Sequence, residues 1–154
     1  MREIRFRGID KRGIWHYGYL WESPEGLRYI KEKISRNHWA DYQVKLESIG
    51  QFTGLRDKNG EEIYDGDIVK HIRFHWYCPE HPENNTDLID NNLIIYSEED
   101  RAFKSKIIDL TRNKISGKFS GEGYLSFSDE RADKNEIEVI GNIYENPKLL
   151  GVKK

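Results

Sequence analysis

The run from Ser48 to Val69 reverses direction twice, and that constrains the fold more than any other feature of the chain. Short apolar segments around Phe52 and Ile63 flank Asp57-Lys58-Asn59-Gly60, where Asn and Gly tolerate the positive φ that a tight hairpin demands. A second reversal at Asp65-Gly66-Asp67 feeds a strand that begins at Ile68. No nucleophile motif, metal cluster or phosphate loop is embedded in the run, so it speaks of architecture first.

The flanking sequence continues the same theme. Ile4 and Phe6 alternate with Glu3, Arg5 and Arg7, the period of a half-buried strand whose outer face carries the basic side chains. Lys11-Arg12-Gly13 turns into Ile14 to Trp21, which places Trp15, Tyr17, Tyr19 and Trp21 on one face of a second strand. Ser23-Pro24-Glu25-Gly26 closes a hairpin to Leu27-Arg28-Tyr29-Ile30. Ser35 to Tyr42 has no clean period and reads as loop or a helical turn. Beyond Val69 the strand runs to Tyr77, with Ile72, Phe74 and Trp76 inward, until Pro79 and Pro82 end it. Glu80 to Asn92 reads as a long exposed loop. Further strands are expected at Leu93 to Tyr96, Ala102 to Ile108, Tyr124 to Phe127 and Glu136 to Ile140, with a bulge at Gly141 and a short helix after Asn146-Pro147. These elements predict a mainly β fold, a small partly open barrel or coiled antiparallel sheets with a short C-terminal helix.

Three blocks also carry a family likeness. Arg2-Glu3-Ile4-Arg5-Phe6-Arg7-Gly8-Ile9-Asp10 opens the chain, the run from Gly50 to Val69 forms its centre, and Val139-Ile140-Gly141-Asn142-Ile143-Tyr144-Glu145-Asn146-Pro147 closes it. In that order they resemble the YopX family of phage and prophage proteins. The resemblance implies a mostly β fold and a phage or prophage gene, and it supplies no established activity and no catalytic residues. His71 to Asn92 matches none of the blocks, which marks a variable loop at about 78–92 as the place for individual specialisation.

At 154 residues the length suits one domain spanning 1–154. Charged residues make up 34% of the chain, yet the net charge is only −2, so any polyanionic partner would have to be met by a local cluster. The single Cys78 excludes an intramolecular disulfide and suits a reducing compartment. No apolar run approaches the ~20 residues that span a bilayer, and the charged start lacks a signal-peptide core. The expectation is a cytoplasmic protein, in a host cell if phage-encoded, with no membrane partner.

The motifs that carry chemistry are few. His71, His75, Cys78 and His81 have zinc-like spacing, but residues four apart on a strand are separated by about 13 Å at ~3.3 Å per residue, too far for His71 and His75 to share an ion. His75, Cys78 and His81 around a turn remain the route to a metal-dependent enzyme, against surface histidines and an apolar thiol. Asp65 and Asp67 form a tempting acid pair, set in a turn where Asp side chains bond local backbone. No nucleophile elbow or H-E-x-x-H occurs, so the sequence points to no catalytic residue, no metal ligand and no cofactor.

Basic and aromatic residues are more suggestive. Arg5 and Arg7 beside Trp15 and Tyr17 combine anion-pairing forks with stacking platforms. The competing reading is a core-facing aromatic stripe with solvated arginines behind it. The expected contacts are Arg5, Arg7 and Arg56 for anionic groups, Trp15 and Tyr17 for stacking, and Gln51 and Thr53 for polar edges. Lys31, Lys33, Arg36 and Lys45 form another basic span, diluted by interleaved acids. The function expected is non-enzymatic binding of a nucleotide-like small ligand or a host protein, as in an anti-defence role. A nucleic-acid binding module is the alternative, and exposed sheet edges suggest a homo-oligomer.

Overall fold

The computed structural model describes residues 3–76, 86–111, 124–126 and 137–150. These residues fall into two compact units, one of residues 1–55 and 62–65 and one of residues 56–61 and 66–154. Strands dominate both, and every strand pairing given below is antiparallel.

The first unit contains β1 (Phe6–Ile9), β2 (Trp15–Glu22), β3 (Arg28–Ser35), β4 (His38–Gln43), most of β5 (Gly50–Arg56) and β6 (Glu62–Tyr64). They form one sheet in the order β4-β3-β2-β1-β5-β6. β2 changes partner halfway. Its residues 15–18 pair with β1, and its residues 19–22 pair with β3. Gly18 sits at the switch, where an added Cβ would overlap the Lys31 carbonyl oxygen. The sheet coils there, and only a residue without a side chain lets the two backbones come so close. An isolated bridge between Asp10 and Val44 tightens the coil without closing it into a barrel.

The coil buries the even-numbered side of β1 to β4. Ile30 and Val44 lie there beside His16 and the Cβ-less Gly8 and Gly18. Ser48, in the 3₁₀ turn Leu46–Ser48, accepts the Ile9 N–H at 2.9 Å and donates to the Lys45 carbonyl at 2.7 Å, so its burial leaves neither group unsatisfied.

The second unit contains β7 (Asp67–Trp76), β8 (Thr86–Ser97), β9 (Ala102–Thr111), β10 (Tyr124–Ser126) and β11 (Ile137–Asn142), in the order β10-β9-β8-β7-β11. Among the described residues, Ile68, Val69, Ile94, Phe103 and Ile137 are its buried apolar side chains. The hairpin tip of residues 56–61 belongs to this unit. Among the described residues, the tip's positive φ falls on Gly60, at 85°. Asn59 instead donates its N–H to Asp57 Oδ1 at 2.8 Å. Asp57 also accepts the Glu61 N–H at 2.9 Å on Oδ1 and the Val139 N–H at 3.0 Å on Oδ2. Lys58 completes the join, with its N–H on the Ile137 carbonyl at 3.0 Å and its Nζ on Glu138 at 2.6 Å. The closing block also has local bonds of its own. Asn142 Oδ1 accepts the N–H groups of Tyr144 and Glu145, and the bulge falls between Val139 and Gly141 as the sequence suggests.

The fold is mainly β, as expected, with coiled open sheets in place of a barrel. Three local expectations are corrected. The short C-terminal helix is a single 3₁₀ turn, Pro147–Leu150. Ser35 to Tyr42 is mostly strand: Arg36 and Asn37 make a tight turn, and β4 then pairs with β3 from Ser35 to Tyr29. Residues 86–92 of the expected loop are also strand, paired along β7 through a register shift between Ile72 and Phe74. The rest of that loop and the side chains of Ile72, Phe74 and Trp76 lie outside the described residues. No helix among the described residues is long and apolar enough to cross a membrane.

Candidate functional site

Cross-strand partners project to the same side of a sheet, so the register decides which candidate residues meet. Arg7 lies opposite Tyr17, and Ile9 opposite Trp15. Arg5, Arg7, Trp15 and Tyr17 therefore share the odd-numbered face of the first unit. Gln51 lies opposite Phe6, which puts Gln51 and Thr53 on the reverse face. Thr53 is buried there, its hydroxyl donating to the Ile63 carbonyl at 2.8 Å. Arg56 belongs to the hairpin tip in the second unit, where it donates to the Gly60 carbonyl at 2.8 Å.

The two arginines are held by the protein itself. The Arg7 guanidinium is 4.6 Å from the Trp15 ring centroid and 4.9 Å from that of Tyr64, and it donates to the Asp65 carbonyl at 3.3 Å. Only 6% of Arg7 is exposed. Arg5 is paired with Glu62 and lies 5.1 Å over Phe52. The other Glu62 oxygen accepts the Tyr64 hydroxyl at 2.6 Å. Burial, and then the bond to Glu62, pushes the Tyr64 hydroxyl well above its ordinary pKa. For Arg5, burial works against the charge, and the Glu62 carboxylate outweighs it and holds the guanidinium above its ordinary value. This end of the face is a packed cation–aromatic cluster.

Further along the same face the side chains open to solvent. Tyr19 lies opposite Lys31, Trp21 opposite Tyr29, and Lys33 opposite Trp39. Tyr17, Tyr19, Trp21 and Trp39 are 42%, 49%, 39% and 42% exposed. Neighbours orient them. Trp21 stacks on Tyr29 at 4.7 Å and donates its indole N–H to Asp41 at 2.8 Å, while Tyr19 and Trp39 rings lie 5.9 Å apart. Lys33 Nζ stands 5.7 Å over the Trp39 ring.

The reverse face holds an ionic group that sequence reading missed. His16 Nδ1 lies 2.9 Å from Glu32 and its Nε2 lies 3.4 Å from Asp10, while the ring stacks on Tyr42 at 3.7 Å. Asp10 also takes the N–H groups of Arg12 and Ile14 and the Arg12 side chain. The Ile14 N–H bond, working against burial and joined by Arg12 and His16, holds the Asp10 carboxyl far below the usual carboxylate range. Both imidazole nitrogens face carboxylates, so this histidine has no ring nitrogen left to activate a nucleophile. The group fastens β1, β2 and β3 together.

Register also explains what the sequence obscured. In Lys31-Glu32-Lys33 the acid looks like a neutralising neighbour, yet alternation sends Glu32 to His16 on the reverse face and leaves both lysines with the rings. Trp39 carries no strand signal in the sequence, because Ser35 to Tyr42 shows no clean period. The Arg36-Asn37 turn was the available signal for the hairpin.

Elsewhere, Asp65 and Asp67 occupy the ends of the second reversal. The Asp65 N–H donates to the Gln51 carbonyl at 2.9 Å, and Asp67 is buried at the start of β7. No group of three His, Cys, Asp or Glu side chains among the described residues could hold a metal ion. His71 pairs with Asp90 and His75 with Asp87 along one extended strand pair; Cys78 and His81 lie outside the described residues.

Comparison with known proteins gives a family and a fold. The family model described as YopX protein matches residues 6–151. Among solved structures, the chain is similar to protein EF1440 from Enterococcus faecalis, with a TM-score of 0.51 and 20% identity over 97% of this chain and 99% of that one. No curated protein matches it.

Proposed function

Because the chain belongs to the YopX family, which brings a fold without a reaction, we propose that it works by binding, as a non-enzymatic accessory protein of a phage or prophage. The grip is the odd-numbered face of β2, β3 and β4. One observation carries this reading: Tyr17, Tyr19, Trp21 and Trp39 stand about two-fifths to one-half exposed on a single sheet face. Contiguous exposed apolar surface of this kind marks interaction sites, and Trp and Tyr concentrate where binding energy does. Arg5, Arg7 and Trp15 flank the open rings on the same face, as a packed cluster at its β1 end.

The ligand classes expected from the sequence, a nucleotide-like molecule or a host protein, both suit arginine, lysine and aromatic groups. The same proposal includes a cytoplasmic setting and self-association, since β4 ends the strand order of its sheet and offers an edge for pairing. Calorimetry and native mass spectrometry with nucleotide panels and host lysate test the reading. The expected result is a complex that the wild-type chain retains and Trp39→Ala loses. Equal retention by both would remove the face from any role. Sedimentation reports the oligomer, which the proposal expects to be larger than a monomer.

A further inference from the structure

Resting on that reading of the face, we propose that its occupant is a single-stranded nucleic acid, with bases stacked on the open rings and phosphates met by Lys31 and Lys33. The face is an open sheet. Small ligands are held in concave sites that bury most of their surface, and rings standing on a strand row instead suit an extended chain. Tyr17, Tyr19 and Trp21 follow one another at two-residue intervals, about 6.6 Å at ~3.3 Å per residue. That is about twice the ~3.4 Å repeat of one nucleic acid strand, so successive rings on the row are spaced to meet alternate bases.

The cations decide between a nucleic acid and a protein partner. Protein interface cores favour Arg and are depleted of Lys, whereas here the exposed cations among the rings are lysines. Lys31 lies directly beside Tyr19, and Lys33 beside Trp39. Asp41 is the acid on this part of the face, and its Oδ1 already accepts the Trp21 indole N–H. Glu32 points to the opposite side, where it meets His16. The positive charge and the rings are thus segregated together, which complements a phosphodiester backbone carrying unstacked bases. A duplex keeps its bases stacked on one another, so it would offer this face phosphates alone.

The test is fluorescence anisotropy of labelled oligothymidylate and oligouridylate against the full chain, with salt varied and duplex DNA as competitor. Binding of either strand is expected, poorly displaced by duplex. Trp39→Ala and Tyr19→Ala should each weaken it by about tenfold or more, and Trp39→Phe should restore most of the loss. Leu46→Ala, on the exposed 3₁₀ turn, should change nothing. Replacing both Lys31 and Lys33 with Gln should reduce the slope of log affinity against log salt by about 1.4, at ~0.7 per phosphate contact. Thermal unfolding confirms that each variant is folded before it is scored. Absence of binding, equal competition by duplex, indifference to Trp39→Ala, or an oligomer in sedimentation that Trp39→Ala dissociates would overturn the inference. If the oligonucleotides fail while Trp39→Ala still abolishes retention of another ligand, the nucleic-acid inference falls and the binding reading stands. If no substitution on the face alters any ligand, both fall.

Discussion

The hairpin tip at residues 56–61 and the open face of β2 to β4 are both rich in charged and polar residues, yet they treat them in opposite ways. At the tip, Arg56, Asp57 and Lys58 all find partners within a few residues or on β11. On the face, Tyr19, Trp39, Lys31 and Lys33 are oriented by neighbours but remain open to solvent. A side chain satisfied inside the protein contributes to folding, and one left facing water contributes little until something covers it. The two regions should therefore respond in opposite senses to substitution, stability at the tip and binding at the face.

The largest expected effect would break the comparison by removing the face along with the fold. Gly18→Val would drive a branched side chain into the Lys31 carbonyl at the point where β2 changes partner. Overpacking of this kind costs about 3 kcal/mol or more when backbone blocks the way. Urea unfolding should show a much lower midpoint, or no folded protein at all. A midpoint near wild type would mean that the coil of the first sheet does not depend on this contact.

Next in size is Asp57→Ala. Three N–H groups lose their acceptor together, those of Asn59, Glu61 and Val139. The expected loss is about 2–3 kcal/mol, read as a lower urea midpoint, with ligand retention by the β2 to β4 face unchanged. Coupled loss of stability and binding would erase the distinction between the two regions.

The acid limb sharpens the same point with a smaller effect. Burial works to raise the Asp57 carboxyl, and the N–H groups of Val139, Glu61 and Asn59 outweigh it, so its folded pKa lies below the ordinary value. A carboxylate depressed in the folded state contributes stability above the unfolded pKa of ~3.9, and that contribution disappears as pH falls through the folded value. Wild-type stability should therefore decline below about pH 4, and Asp57→Asn should show a shallower decline because it has no such proton to take up. Parallel pH profiles for the two proteins would exclude Asp57 as a source of the acid sensitivity.

Much of the tip was legible in the sequence and little of the face was. Asp57-Lys58-Asn59-Gly60 announces its turn because only particular residues satisfy local backbone geometry there, and the chemistry is read from one segment. The face depends on register. Lys31, Glu32 and Lys33 look like mixed surface charge until pairing assigns them to opposite sides. Arg5 and Arg7 were expected on the same strand face, but no local pattern says that Glu62, Asp65 and Tyr64, far along the chain, will enclose them. Residue type alone puts Gln51 and Thr53 with them, and the pairing of Gln51 with Phe6 sends both to the other side. Trp39 required recognising a hairpin whose strand mixes His, Ala and Tyr on one side with Trp, Asp and Gln on the other, so neither face shows an apolar stripe.

The smallest expected stability effect carries the most information about the face. Trp39 is 42% exposed and is touched chiefly by Tyr19 and by the Lys33 ammonium. An exposed cation–π contact is worth about 0.5–1 kcal/mol, and exposed substitutions away from the core usually stay within about 0.5 kcal/mol. Trp39→Ala should thus lower stability by no more than about 1 kcal/mol, and the double cycle with Lys33→Gln should return a coupling of about 0.5 kcal/mol. A loss several times larger would show that Trp39 serves the fold as Asp57 does. A small loss would mean that the fold scarcely needs this large aromatic side chain, as the binding role proposed for the face requires.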